Sequence, residues 1–559
     1  MEKFEKQCIQ ALQALSIDVG TSLEIPADRS HGDFAFACFR LAKQEKSSPH
    51  TQALRLASSL VLPPSIHAHA LGPYLNFQIE KKTLFETILG SILTTAYGSL
   101  PPKTRGTWII EYSSPNVAKP LNIYHLRPTV LGAALDRIGR LRGYDVISLN
   151  HLGDWGKQYG LLTVGFQIYP MPENPTIHDL VALYVQVNQD AVTDPTIQER
   201  ARQAFCDLEA GDPQITALWQ KCVTLSCASF EAMYARLGVH FDYIWGESFY
   251  TPMIPSLVEL LKAKSLLKES DGAWVVPVTD TTGKELPPCM IQKSDGATIY
   301  ATRDLAAALY RYERFHFDRM TYIVGAEQKL HFIQIFDVLK QLELPFAKHC
   351  EHIPFGLYRF QDSKMSTRRG NFITLEEVLE AAQQRVYEIL QSRQEARDDD
   401  AEVAEMVAIG AVIFHDLAVD PIKDIDFALE RAIDFEGETG PYLQYAHTRC
   451  LGILKKAQFV PTFDPSYASY LGTDEEHALI RHLGLYPRTL ERTLTTAKAS
   501  ILAHYLLDVT HAFHVFYKHC HVLTDNKELS YARLLLVEAT RKVLAQGLSL
   551  LGIPLPHRM

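Results

Sequence analysis

The spacing of hydrophobic and polar positions changes along the chain and divides it into regions. Up to about residue 100, helix-like and strand-like segments alternate. Apolar residues at helical spacing predict a surface helix at Met1–Leu15, whereas Ser30–Ala35 indicates a turn entering a helix. Gly72–Ile79 indicates a turn leading into a strand. We therefore predict an N-terminal α+β domain over residues 1–100.

Two strand–helix units after this domain predict a parallel sheet. The first unit has strands at Thr107–Tyr112 and Asp145–Leu149, joined by a helix over about His125–Arg142. The later unit has a strand at Met320–Val324 and a helix at Leu330–Leu342. Strand, helix and parallel strand in succession are typical of a nucleotide-binding α/β fold.

The rest of the pattern is mainly helical. The mixed stretch from about 165 to 285 predicts an insertion that interrupts a Rossmann-like domain spanning 103–425. From about 400 the pattern is helical to the end, which predicts an all-helical domain at 430–559. The predicted fold class is multidomain α/β plus α.

Composition restricts the possible functions. The chain has 559 residues, 47% of them hydrophobic and 21% charged, which is typical of globular domains. It has no uninterrupted apolar stretch of membrane-spanning length, and we expect the N-terminal segment to be a surface helix and not a signal peptide. Nine scattered cysteines without a CxxC pair favour a reducing cytoplasm over a disulfide framework, and we expect no protein-bound structural metal.

The formal net charge of −10 does not by itself indicate a nucleic-acid partner. A large acidic enzyme can still bind RNA on a local basic face. Basic clusters occur at Arg137, Arg140 and Arg142 and again near Arg481 and Arg488. Each cluster alone is more often a solvated helix face.

The first candidate for chemistry is the loop after the strand at Thr107–Tyr112. In open α/β sheets, ligands bind beyond the carboxyl ends of the strands, and a helix N-terminus there offers N–H groups to phosphate. Lys119 and His125 lie in this loop and could stabilise an anionic transition state. Taken alone, a strand, turn and helix with one histidine is usually only structural.

The second candidate is Ser363–Asn371, far along the chain. Three basic residues, three hydroxyls and a glycine form a short segment suited to holding phosphates. As a single motif, it is also compatible with any basic turn.

Together the two segments resemble the HxGH and KMSKS pair of class I aminoacyl-tRNA synthetases, and arginyl-tRNA synthetases in particular. The similarity covers essentially the whole chain in family order. The matching segments are Ser114–Pro120 with His125–Arg127, His151–Gly160, Asp295–Gly296, Tyr300–Asp304, Lys364–Asn371, Gly440–His447 and the terminal Arg558–Met559.

The resemblance implies a site for arginine. A guanidinium needs carboxylates and a flat wall, and two acids suit one cation. The implied guanidinium contacts are Glu247, Tyr300 and Asp304. The implied contacts to the α-amino and carboxylate groups are Glu111, Asn116 and Gln328. Each of these residues alone would be an ordinary surface residue or turn.

The resemblance also implies an ATP site that uses ATP with Mg²⁺. Its transition-state charge would be stabilised by Lys119, His125 and Lys364. The implied ATP-binding residues are Asn122, Tyr124, His125, Lys364, Met365, Ser366 and Arg368.

Two residues depart from the family pattern, which has His where this chain has Asn122 and Gly where it has Tyr124. Asparagine is uncharged, and a tyrosine side chain can obstruct adenine where glycine leaves space. Either the loop has shifted, with Tyr124 turned aside or stacked on adenine, or ATP use is weakened. Thr367 replaces the second lysine of the KMSKS loop, as is usual in this family, and Lys119 is thought to compensate.

The terminal regions are expected to bind tRNA. The resemblance implies that the helical domain contacts the anticodon loop through Phe513, Tyr517 and Met559, because aromatic side chains stack on exposed bases. It implies that the N-terminal domain holds the tRNA elbow through Tyr74, Asn76 and Phe77. These aromatic residues could instead face a core.

The predicted function is that of a cytoplasmic arginine–tRNA ligase, which we expect to be a monomer with L-arginine, ATP and tRNA(Arg) as partners and no membrane association. One alternative is a catalytically impaired paralogue that binds arginine or tRNA, suggested by Asn122 and Tyr124. A second alternative is another HxGH nucleotidyltransferase that makes a small cofactor. That class would not need about 130 helical residues at its end.

Overall fold

The computed structural model describes residues 1–20, 22–26, 28–360, 373–392 and 397–559. The N-terminal region is a three-stranded antiparallel sheet, in the order β1-β3-β2, with helices around it. Its elements are α1 (Glu2–Ala14), β1 (Phe34–Ala37), α2 (Phe39–Gln44), α3 (Pro49–Ser59), β2 (Ile66–Leu71), β3 (Tyr74–Ile79) and α4 (Lys81–Thr94).

The turn at Ser30–Ala35 does not enter a helix, and this part of the prediction was wrong. A short 3-10 helix at Arg29–His31 leads instead into β1. Phe34 pairs with Phe77 of β3, and both side chains are fully buried. The strand exists because of this pairing with a distant segment, which overrides local preference.

The middle region contains a parallel sheet in the order β11-β10-β4-β5-β6. The first elements of this region along the chain are β4 (Thr107–Glu111), α5 (Leu126–Leu141), β5 (Asp145–Leu152), α6 (Gln158–Ile168), α7 (Ile177–Thr193), α8 (Pro195–Glu209), α9 (Pro213–Arg236), β6 (Tyr243–Gly246), α10 (Glu247–Tyr250) and α11 (Ile254–Ala263). They are followed by β7 (Lys268–Ser270), β8 (Ala273–Thr279), β9 (Glu285–Gln292), α12 (Tyr300–Phe315), β10 (Arg319–Gly325), α13 (Lys329–Gln341), β11 (Cys350–Phe355) and β12 (Tyr358–Phe360).

The sequence between the two halves of this sheet is not one insertion. β6 pairs in parallel with β5, Leu149 facing Tyr243, and so belongs to the central sheet. The segment predicted as an insertion at about 165–285 is thereby divided into a helical part, α7 to α9, and a small antiparallel sheet, β7-β8-β9. A four-residue strand carries too weak a local pattern to be predicted from sequence.

The final region is helical, as predicted. Its elements are α14 (Leu375–Gln391), α15 (Asp400–Leu417), β13 (Ile425–Phe427), α16 (Leu429–Ala432), α17 (Gly440–Ala457), α18 (Asp474–Gly484), α19 (Tyr486–Thr496), α20 (Ala499–His519) and α21 (Lys527–Leu551). The predicted fold class, an α+β domain, a parallel α/β domain and an all-helical domain, is confirmed.

Ion pairs join the three regions. The Asp33 carboxylate, which is fully buried, lies 2.8 Å from Arg481 Nε of α18, and Glu5 lies 3.1 Å from Arg488 Nη1. Arg142 of the middle region contacts Glu491 of α19 at 3.1 Å. The basic clusters noted in the sequence therefore contribute to the contacts between domains, and α4 packs directly on α18 and α21.

Candidate active site at the carboxyl ends of the parallel strands

Four strands of the central sheet deliver candidate residues to one edge. Glu111 ends β4, Glu247 follows β6, and Gln328 follows β10. His151 is the second-last residue of β5. Because carboxyl ends of parallel strands share an edge, these residues line one crevice, at the place where ligands bind in such sheets.

The loop from β4 to α5 has an unusual backbone. Ser113, Ser114 and Ala118 have φ values of 71°, 49° and 66°, a region that side chains rarely adopt. Asn150 Oδ1 accepts from the Ser114 N–H at 3.0 Å, and Ser226 Oγ accepts from the Ala118 N–H at 2.9 Å. Strained backbone that surrounding groups hold in place is typical of functional sites.

This loop presents Asn116 and Lys119 to solvent. A β-carbon on Gly153 would lie only 2.1 Å from Asn116 Oδ1, so the glycine permits the close approach of the two loops. Two hydrogen bonds hold that approach, Val117 N–H to Gly153 O at 3.2 Å and Gly153 N–H to Pro115 O at 3.0 Å.

A short 3-10 helix, Ile123–His125, precedes α5 and carries the departures from the family pattern. Asn122 Oδ1 accepts from the Tyr124 N–H at 3.1 Å, and His125 Nδ1 accepts from the Asn122 N–H at 3.1 Å. Asn122 is therefore the cap of this helix. The Tyr124 ring is 36% exposed and meets Tyr358 edge to face at 6.4 Å.

The hydrogen bond at Nδ1 determines the form of His125. Because Nδ1 accepts, the neutral ring carries its proton on Nε2. Burial, aided by the charge of Lys119, lowers the pKa of His125 to about 4. Near pH 7 His125 is thus a neutral donor, not a cation.

The described residues that follow the second motif lie beside this helix. Lys364, Met365, Ser366 and Arg368 lie outside the described residues. Just after them, Leu375 N–H donates to Leu121 O at 2.9 Å, and Ile123 N–H donates to Ile373 O at 3.2 Å. Thr374 caps α14 reciprocally with Glu377, which fixes this attachment.

Two candidate carboxylates are Glu247, at the start of α10, and Asp304, on α12. Arg303 Nε donates to Glu247 Oε2 at 2.7 Å, and the Glu247 side chain is 20% exposed. Burial raises the pKa of Glu247 against the lowering effect of Arg303, and the charge of Asp304 adds to the rise. The charge of Asp304 thus acts unfavourably on ionised Glu247, and a further cation near both acids would offset this effect.

Asp304 is held by histidines. Its Oδ2 lies 2.6 Å from His331 Nε2, and its Oδ1 lies 3.8 Å from His151 Nε2. Burial raises the pKa of Asp304, but the hydrogen bond from His331 and neighbouring positive charge outweigh this, and the pKa lies below its ordinary value. Tyr300, four residues earlier on α12, is 57% exposed.

Glu111 is less accessible than the sequence indicates. It is 6% exposed, and its Oε2 lies 2.5 Å from Nη1 of the buried Arg311. In the described structure its carboxylate is engaged inside the protein. Gln328, by contrast, is exposed.

The residues expected to contact tRNA divide into two groups. Asn76, Phe77 and Phe513 are at most 2% exposed and lie in the core. Their burial does not support direct contact with tRNA and agrees with the alternative that they face a core. Tyr517 is 40% exposed, with the Arg449 guanidinium 5.0 Å from its ring centre. Tyr74 is partly buried, edge-on to Phe39, and Met559 is partly buried against the core.

The sequence did not identify the partners of these acids, namely His151, Arg303, Arg311 and His331. His151 could have been found, because it stands at the carboxyl end of a predicted strand. The other three lie on α12 and α13, and only tertiary packing brings them to the carboxylates.

Among the residues that the structure describes, no group of three or more His, Cys, Asp or Glu side chains is placed to hold a metal ion. No helix in the described ranges is both long and apolar enough to cross a bilayer.

Three family models match the chain. The catalytic domain of class I tRNA synthetases (R) matches residues 91–429, the DALR anticodon binding domain matches 443–559, and the arginyl tRNA synthetase N terminal domain matches 2–79.

Curated relatives match at full length. An arginine–tRNA ligase of Exiguobacterium sp. is 39% identical to this chain, and the match covers 100% of both chains. One from Clostridioides difficile is 38% identical over 100% of this chain and 98% of its own. A solved Thermus thermophilus arginyl-tRNA synthetase is 26% identical and superposes with a TM-score of 0.87 over 100% of both chains.

Proposed function

Because the chain belongs to the arginyl-tRNA synthetase family, we propose that it joins L-arginine to tRNA(Arg) using ATP. The arginine carboxylate attacks the α-phosphorus of ATP, which releases pyrophosphate and forms arginyl-adenylate. A hydroxyl of the terminal adenosine of tRNA then attacks the arginyl carbonyl, and AMP leaves. No covalent bond to the protein is required.

The observation that carries this proposal is the pairing of Glu247 and Asp304 at one end of the crevice. The negative charge of Asp304 helps to raise the pKa of Glu247, Arg303 donates to Glu247, and His331 Nε2 contacts Asp304. Two carboxylates suit a guanidinium better than any neutral amino-acid side chain. We call Glu247, Tyr300 and Asp304 the arginine side of the crevice.

The loop Lys119–His125 and the described residues Ile373–Leu375 beside it form the other side, which we call the ATP side. Here we assign Lys119, His125 and Lys364 to the charge that develops on the α-phosphate. His125 would act as a neutral Nε2–H donor, and Lys119 as an exposed cation. Mg²⁺ would enter with ATP as part of the substrate.

The expected outer contacts of tRNA are with Tyr517 on α20 and Tyr74 on β3. Tyr517 is 40% exposed and has the Arg449 guanidinium over its ring, and an exposed aromatic ring beside a cation is suited to stacking on a base. A monomer located in the cytoplasm stays a prediction.

Pyrophosphate exchange tests the proposal. With tRNA present, arginine should promote exchange of label between pyrophosphate and ATP. Citrulline is the matched control, because it has the shape of arginine without the charge and would offer Glu247 and Asp304 no guanidinium. Exchange that is equal with citrulline, or absent with arginine, would contradict the proposed function.

A further inference from the structure

One side chain contacts two of the three residues on the arginine side. His331 Nε2 lies 2.6 Å from Asp304 Oδ2, and the His331 ring centre lies 4.9 Å from that of Tyr300. Asp304 and Tyr300 belong to α12, whereas His331 belongs to α13. The contact therefore links two helices across the site.

The surroundings of His331 make this contact its main polar interaction. The residue is 7% exposed, and Phe332 packs edge-on at 5.2 Å on the same helix. Its Nδ1 is buried and has no hydrogen-bond partner among the described residues. A carboxylate can only accept, so Nε2 carries the proton that is shared with Asp304.

The second oxygen of Asp304 is left for a ligand. Oδ1 makes no hydrogen bond within the described parts of the chain, and His151 Nε2 lies 3.8 Å from it. A carboxylate fixed through one oxygen presents the lone pairs of the other in a defined direction. A guanidinium needs such an orientation, since its donors form a rigid fork.

We propose that His331 is a positioning residue for arginine: it fixes Asp304 through Oδ2, leaves Oδ1 for the guanidinium, and supports the Tyr300 ring. This inference rests on the proposed function and adds a residue to it. His331 itself does not touch the substrate. Its removal should therefore weaken arginine binding without altering the groups that act on ATP.

The test uses two substitutions that separate the donor from the ring. His331→Gln places an amide nitrogen near the position of Nε2, whereas His331→Phe keeps a flat ring and removes the donor. Arginine affinity, measured by calorimetry, should fall roughly tenfold in His331→Phe, the lower range for a hydrogen bond to a charged group. His331→Gln should keep most of the affinity. The KM for ATP should change little in either protein.

A double-mutant cycle distinguishes positioning from general packing. If His331 acts through Asp304, His331→Phe should have little further effect on arginine affinity in an Asp304→Asn protein. His352→Phe is the control, because His352 stacks on Phe332 at 4.4 Å but contacts Val324 O instead of Asp304. It should leave arginine affinity unchanged.

The failures can be told apart. Equal arginine affinity in wild type and His331→Phe, or effects that add fully with Asp304→Asn, would overturn the role of His331 alone. A wild-type protein that does not bind arginine would overturn the proposed function itself. If His331→Phe fails to fold, His331→Met replaces it, since its unbranched side chain fits the same space, and the same outcomes decide.

Discussion

The arginine side and the ATP side share one sheet edge but differ in what they are made of. On the arginine side, the expected contacts are charged side chains, each held by a partner: Arg303 holds Glu247, and His331 holds Asp304. On the ATP side, the described structure offers a strained loop, the start of a short helix and a neutral histidine.

This difference explains where substitution is tolerated. A guanidinium is recognised through the identity and orientation of carboxylates, so each change removes a specific contact. Phosphates can be held by backbone N–H groups and helix termini, which every residue type supplies. Asn122 and Tyr124 are compatible with the ATP side because Asn122 caps the helix there and Tyr124 packs against Tyr358.

The largest effect is expected at His125, one of the three side chains that we assign to the charge on the α-phosphate. His125→Asn keeps an acceptor near the position of Nδ1, and with it the bond from the Asn122 N–H, but has no donor at the position of Nε2. We expect kcat for pyrophosphate exchange to fall roughly 100- to 1,000-fold, the scale for losing one transition-state donor. The KM for arginine should stay near the wild-type value.

The matched control variant for His125→Asn is His125→Gln. Its amide nitrogen can replace the Nε2 donor while the bond at Nδ1 is lost, so it should retain more activity than His125→Asn. The opposite ranking would mean that His125 holds the loop and does not act on the phosphate, and that role would then fall to Lys119 and Lys364.

The next largest effect is expected on the arginine side. Asp304→Asn removes the charge but keeps the size of the side chain, and should weaken arginine binding by ~1.5–3 kcal/mol. Calorimetry with arginine measures this, and Glu313→Gln, an exposed acid on the same helix, is the control. Unchanged affinity in Asp304→Asn would mean that the guanidinium binds elsewhere.

Some of the strands and site residues could be predicted from the sequence, and others could not. The runs that form β4, β5 and β10 are apolar and rich in β-branched residues, so local pattern locates them within a few residues. β1 and β6 were missed because four residues carry little pattern and both depend on pairing with distant strands. Glu247, Tyr300 and Asp304 came from the family resemblance.

The partners of the acids could not be predicted in this way. His331 follows Asp304 by 27 positions and lies on another helix, and no local rule relates them. The sequence also did not show which aromatic residues of α20 are buried. Phe513 and Tyr517 are four residues apart, yet Phe513 lies in the core and Tyr517 is 40% exposed. Helical period identifies a face but does not say where the face ends.

A smaller effect is expected from a substitution outside the crevice, which tests whether the two sides work independently of the tRNA contact. Tyr517→Ala should weaken tRNA binding by ~1–3 kcal/mol, the value of stacking on one base. It should leave arginine affinity and the KM for ATP unchanged, which would show that both sides of the crevice work independently of this contact. The control is Tyr470→Ala, a similarly exposed tyrosine elsewhere in the helical domain. Equal tRNA kinetics in wild type and a folded Tyr517→Ala protein would remove Tyr517 from the RNA surface.

The smallest effect is expected from restoring the family pattern with Asn122→His and Tyr124→Gly together. The change loses the Asn122 cap and the contact with Tyr358, a local cost of about 1 kcal/mol, but opens space near the expected adenine position. Exchange activity should stay within about threefold of wild type or rise, since threefold is less than 1 kcal/mol of barrier. A loss beyond about tenfold would show that the loop has been rebuilt around Asn122 and Tyr124. The ATP side would then rely on particular side chains as strictly as the arginine side, because backbone contacts alone would not survive the exchange.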